Sequence, residues 1–156
     1  MIKQSVFLDT NFLIATQVEK HEFFQKTKEL RRTFIEKEYT LYTSPLVLDE
    51  FWYVLIGLWK ASLAKGASSV YQSVDSKTLY RLLKKATQNI LNFKNLILLD
   101  LDLNKTEILK TVEIMNKYKL RPRDSIIVEI MKKSKIKQIA SFDKDFEKVK
   151  GLTVIK

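Results

Sequence analysis

Two hydrophobic periods alternate along this chain, and that alternation restricts the fold more than any other feature. SVFLD (5–9) opens as an unbroken apolar run of strand length, the pattern of a strand buried on both faces, and NFLIATQ (11–17) continues as a helical turn or two. In KHEFFQKTKELRRTFIEKE (20–38), Phe23, Phe24, Leu30, Phe34 and Ile35 recur at near-helical spacing between charges, which predicts an amphipathic helix. YTLYTS (39–44) has β-rich composition, and Pro45 then suits the first turn of a helix running through LVLDEFWYVLIGLW (46–59). The small, polar segment around Gly66 ends that helix in a loop, and Ser76 is placed to cap the next one, KTLYRLLKKATQNILNF (77–93). NLILLDLD (95–102) reads as a third strand, followed by helices over NKTEILKTVEIMNKYK (104–119) and, after Pro122, RDSIIVEIMKKSK (123–135). KQIASFD (137–143) is a fourth strand, KDFEKVK a short helix and LTVIK a final strand. Strands alternating with helices predict an α/β fold, a largely parallel sheet of about five strands with helices on both faces.

Composition narrows the chemistry. The chain has 156 residues, fitting one domain over 1–156, and at 46% hydrophobic it can fill a sizeable core. It has no cysteine, which excludes disulfides, zinc–thiolate sites, iron–sulfur clusters and thiol nucleophiles. His21 is the only imidazole, so any metal is held mainly by oxygen. No apolar run approaches the length of a membrane span and no signal-peptide pattern opens the sequence, which leads to the expectation of a cytoplasmic protein without membrane contact. A net charge of +10 places a positive field over part of the surface, suited to a polyanion such as RNA or DNA.

In open parallel sheets, ligand sites form outside the carboxyl ends of the strands. Asp9 and Asp143 each follow a strand, so acids from distant parts of the chain can meet at one edge. Glu50 lies in the first turns of the helix after the second strand, and Asp124 near a helix start after Pro122. Each has a plain structural alternative: Asp9 as a helix cap, Asp124 as a helix-start acid, and Asp143 or Asp145 as the cap of the last helix. Glu50 also competes with Asp49, because both sit where a helix N-terminus favours negative charge. Gathered together, such acids repel: two unit charges about 4 Å apart cost on the order of 4 kcal/mol at an effective dielectric near 20. Protonation or nearby arginines could offset that, but a divalent cation is the direct solution for an oxygen-only cluster, and an acid cluster within a basic protein points to a metal-dependent phosphodiesterase.

Taken in order, VFLDTNFLI, SPLVLDEF, LRPRDSIIVEI and IASFDKDFEKVKGL resemble the PIN domain, the nuclease domain of many VapC-type toxins of toxin–antitoxin pairs. The resemblance spans nearly the whole chain. It implies a PIN-like parallel sheet flanked by helices and an acidic pocket for Mg²⁺ or Mn²⁺. Carried over by position, Asp9, Glu50, Asp124 and Asp143 are the catalytic and metal-binding acids, Asn11 and Ser141 polar supports, and Asp145 a supporting acid. Ser141 stands where the family often has threonine and keeps the hydroxyl. Arg121 and Arg123, flanking Pro122, are the candidates for holding the substrate backbone.

The remaining chemistry-bearing residues receive structural readings. Asp100 and Asp102 are expected to face solvent before a capped helix, and His21 to be an exposed helix-start residue. Trp52, Tyr53 and Trp59 could stack on bases, but their helical spacing favours core or subunit contact, and KKSKIK (132–137) is a solvated helix end that could also steer RNA. The expectation is a metal-dependent endoribonuclease, the toxin of a type II pair, acting on RNA, masked by a small antitoxin and forming a homodimer. The alternatives are a solitary nuclease of RNA maturation or decay, and a catalytically silent RNA-binding module.

Overall fold

The computed structural model describes residues 4–65 and 75–156. Its elements follow in the order β1 (Ser5–Leu8), α1 (Thr10–Gln17), α2 (Phe24–Glu36), β2 (Thr40–Thr43), α3 (Pro45–Lys65) and α4 (Ser76–Leu91). Then come β3 (Leu96–Leu98), α5 (Lys105–Tyr118), α6 (Pro122–Lys133), β4 (Gln138–Ala140), a 3₁₀ turn (Lys144–Lys148) and β5 (Thr153–Ile155). Among the described residues no helix is long and apolar enough to cross a membrane.

The five strands form one sheet in the order β3-β2-β1-β4-β5, and every neighbouring pair is parallel. The chain therefore builds outward from β1 through β2 to β3, then returns across the sheet to lay β4 against the free side of β1. That reversal leaves a crevice beyond the carboxyl ends of β1 and β4, where parallel sheets characteristically bind ligands. The strand register there pairs Leu8 with Ala140, and the Asp9 amide donates to the Ala140 carbonyl at 3.1 Å.

The sheet centre is buried on both faces, as its unbroken apolar run predicts. Val6, Phe7 and Ile139 are fully buried, and Phe12, Phe51, Leu55 and Phe146 pack around them. Helix α1 packs on α2 and α3, α3 on α4, and α5 on α6. The edge strand β3 is thinner, with Ile97 and Leu98 exposed.

Element order and type agree with the sequence reading; the differences lie at element ends. Helix α2 begins at Phe24 rather than Lys20, because His21 and Phe24 are drawn into a turn: the His21 amide donates to the Val18 carbonyl and the Phe24 amide to the His21 carbonyl. The cap of α4 is Asp75, whose carboxylate accepts from the Lys77 and Thr78 amides; Ser76, predicted to cap, is already the first helical residue. The last short helix is a 3₁₀ turn. The loop expected around Gly66 lies outside the described residues. Asp100 and Asp102 are exposed, as read, and Asn104 makes a reciprocal capping box with Glu107 at the start of α5.

Candidate active site

Asp9, Glu50, Asp124 and Asp143 all line a single cavity of about 850 Å³ at the carboxyl edge of the sheet. They arrive from four separate places: the end of β1, the second turn of α3, the start of α6 and the loop after β4. Arg121, Arg123 and Asn11 line the same cavity.

Asp9 is 5% exposed. It occupies the N-cap position of α1, yet its carboxylate makes no capping bond. Instead Oδ2 accepts from the Ser141 hydroxyl at 2.7 Å, across the crevice between β1 and β4. The hydroxyl in turn accepts from the Asp143 amide at 3.0 Å, and Asn11 Oδ1 accepts from the Phe142 amide at 3.0 Å. Asn11 Nδ2 reaches the Ser141 oxygen at 3.3 Å. The loop after β4 is thus tied to the start of α1 by bonds that also aim Asp9.

Asp143 has both of the roles that the sequence left open. It lines the cavity, and its Oδ1 accepts from the Asp145 amide at 2.8 Å, capping the 3₁₀ turn. Asp145 contributes that amide, while its carboxylate turns away to Lys148 and does not line the cavity. Ser141, fully buried, stands behind Asp9 rather than on the cavity wall.

Burial pushes the Asp9 carboxyl up to about 7, against the opposing pull of the Ser141 hydroxyl, with Asp124 and Glu50 adding like charge. Burial also raises Asp124, to about 6; the charges of Asp143 and Glu50 push the same way, and Arg121 opposes them. Asp124 Oδ2 is buried with no hydrogen-bond partner. Two carboxyls pushed up by burial, one carrying an orphaned oxygen, form a place short of positive charge. The donors are all oxygen, which suits a hard divalent cation. Among the described residues no three His, Asp or Glu side chains are gathered as a ready-made metal group, so the acids share a cavity without forming a closed cage.

The structure adds residues that sequence reasoning missed. Thr10 lines the cavity and donates to Glu50 Oε2 at 2.8 Å, fixing the carboxylate that the motif selects over Asp49. Asp49 is solvent-facing but accepts from Arg123 at 3.0 Å, and Arg123 also lies 3.8 Å from Glu50. His21 is not an exposed helix-start residue: it is half-buried on the cavity wall, its Nδ1 accepting from the Phe23 amide at 3.2 Å. Its ring tilts against Phe23, which stacks on Phe142 with centroids 4.1 Å apart. Tyr53 is outside the core, 78% exposed on the rim of the cavity. Trp52 does join the packed body, donating to Thr87 of α4 at 2.9 Å, and Trp59 packs partly buried against the core. A hydroxyl beside a motif acid was the available signal for Thr10; His21 had none, since its place depends on how α1 and α2 turn.

An all-parallel α/β sheet with four acids converging at its switch crevice is the architecture of an acid-centred nuclease domain. The PIN domain family model matches residues 6–152, and the chain belongs to that family. Ribonuclease VapC2 of Methanocaldococcus jannaschii is 32% identical over 155 residues, covering 99% of this chain and 95% of that protein. Among solved structures, Mycobacterium tuberculosis VapC20, described as a Sarcin-Ricin loop cleaving toxin, superposes with a TM-score of 0.62 at 18% identity, over 91% of this chain and 92% of that one. Rickettsia felis VapBC2, bound to a DNA fragment from its promoter, gives 0.60 at 13% identity over 97% and 98%.

Proposed function

We propose that this protein is a metal-dependent endoribonuclease that hydrolyses RNA phosphodiester bonds, and that it is the toxin of a toxin–antitoxin pair. The observation that carries this reading is the meeting of Asp9, Glu50, Asp124 and Asp143 in one cavity, with Asp124 Oδ2 buried and without a hydrogen-bond partner. Family membership and the similarity to a ribonuclease along nearly the whole chain support it.

Asp9, Glu50, Asp124 and Asp143 would hold Mg²⁺ or Mn²⁺. When bound, such an ion supplies a more acidic water and positive charge beside the phosphate. The chain's own residues do the rest. Ser141 holds one oxygen of Asp9 in place and Thr10 one oxygen of Glu50, so neither carboxylate needs to reorganise when substrate arrives. Arg121 and Arg123 stand on the cavity wall where a phosphodiester backbone would enter, and Arg123 is released to it by giving up Asp49.

A small antitoxin would cover the cavity mouth, where Tyr53 and Leu58 of α3 are exposed beside it. The likeness to Rickettsia felis VapBC2 supports a partner of that kind. The protein is proposed to work in the cytoplasm as a homodimer.

The test is calorimetric titration of Mn²⁺ into wild type, Asp9→Asn and Asp124→Asn, with RNA cleavage assayed on the same samples. Wild type should bind the ion and cut; both variants should lose cleavage by at least about 10³-fold while keeping their fold. Full turnover in either variant overturns the assignment of that acid, and a wild type that cuts no RNA with either ion overturns the function.

A further inference from the structure

The amino-terminal edge of the sheet, opposite the acidic cavity, carries a second cavity of about 260 Å³. Its floor is apolar, formed by Val128 and Met131 of α6 with Ile136, Val149 and Leu152. Its rim is formed by Lys132, Lys135, Lys137 and Lys150, and no acid lines it. The two loops that shape it precede β4 and β5 and are joined by the Thr153 amide donating to the Lys137 carbonyl at 2.8 Å. Both loops turn through left-handed backbone, at Lys135 (φ 57°) and Gly151 (φ 86°).

The pairing of the lysines here is uneven. Lys133, Lys148 and Lys156, close by in sequence, each meet a carboxylate. Among the described residues Lys135, Lys137 and Lys150 meet none, and Lys132 lies over the Tyr118 ring. Compensation of the α6 dipole accounts for Lys132 and Lys133 in its last turn, but not for Lys137 and Lys150, which lie beyond the helix. Like charges collected over an apolar pit repel one another until an anion with an apolar part settles among them.

We infer that this cavity is an RNA-tracking subsite that takes one nucleotide of the single-stranded substrate, its base on the apolar floor and its flanking phosphates on the lysines. The inference rests on the ribonuclease reading for the identity of the polyanion. A nucleotide combines an apolar ring and anionic phosphates within one residue, matching the floor and rim of the cavity, and the volume admits a single base rather than a duplex. Lysines without an arginine fork hold phosphate as point charges, so the subsite positions RNA without reading its sequence. It acts on substrate binding and leaves the chemical step untouched.

The experiment uses fluorescence anisotropy of a labelled single-stranded RNA on the Asp124→Asn background, comparing Lys135→Glu/Lys137→Glu/Lys150→Glu with the equally charged control Lys26→Glu/Lys37→Glu/Lys84→Glu. The subsite triple should weaken binding about tenfold or more and flatten the log–log salt dependence by about 2, at roughly 0.7 per lysine–phosphate contact. The control should change affinity less than about threefold. In the active protein the triple should raise KM for a long RNA with kcat unchanged, and leave alone an oligonucleotide short enough to reach only the acidic cavity. Equal binding by triple and control overturns the subsite. So does a result in which RNA ignores the triple while an acidic, apolar peptide binds wild type and not the triple. Wild-type affinity for an RNA carrying abasic positions equal to that for intact RNA overturns the nucleotide as occupant. If wild type cuts no RNA yet the triple still loses binding, the subsite stands and the nuclease reading falls.

Discussion

Ser141 has one proton to give and gives it to Asp9, while its oxygen accepts from the Asp143 amide. A single hydroxyl therefore sets the orientation of one acid and the approach of another. Ser141→Ala should lower metal affinity and cleavage by about 10- to 100-fold, and Ser141→Thr should restore both, as measured by Mn²⁺ titration beside the cleavage assay. Loss of activity with unchanged metal affinity would remove Ser141 from the role of positioning Asp9. At this scale an acid after a strand was a signal but not a sufficient one, since Asp100 and Asp102 also follow a strand and face solvent; motif order singled out Asp9 and Asp143 and selected Glu50 over Asp49. Thr10 and His21 escaped because their contacts are tertiary. The Glu50 that Thr10 serves is 40 positions away, and His21 reaches the cavity only through the turn between two helices.

Elements were readable through their hydrophobic periods, and their ends were not, since a cap depends on one dihedral angle and one hydrogen bond. Asp75 and Ser76 are both good capping residues; the chain uses Asp75, whose two oxygens accept from two amides. Asp75→Ala should lower the urea midpoint, and Ser76→Ala should lower it less. The reverse order would transfer the cap to Ser76. The 3₁₀ turn after β4 is a further case: Asp143 closes it with its own side chain, so the residue that ends the strand also begins the turn and still lines the cavity.

For the whole molecule, the acidic cavity is a source of instability that a bound cation would relieve. The Asp9 carboxyl is pushed up to about 7 in the folded chain from the ordinary aspartate value of about 4, so between those pH values the folded state carries a proton that the unfolded state has lost. Stability of the metal-free protein should therefore fall as pH rises from about 4 to about 7, by up to roughly 4 kcal/mol from Asp9 at 1.36 kcal/mol per unit, and Asp124 should add in the same direction up to about 6. Thermal unfolding at pH 5 and 8 checks this: Asp9→Asn should flatten the difference. Mn²⁺ at about 100 times its Kd should return roughly 2.7 kcal/mol to wild type at pH 8. A wild type equally stable at both pH values, or stabilised by alkali, would contradict the buried-acid account.

The return of β4 to the free side of β1 has a consequence for synthesis. Asp9 is aimed by a hydroxyl 132 positions further along, and two of its fellow acids lie at positions 124 and 143. A nascent chain therefore lacks the complete acidic cavity until nearly its whole length has been made, because the first strand waits for the fourth.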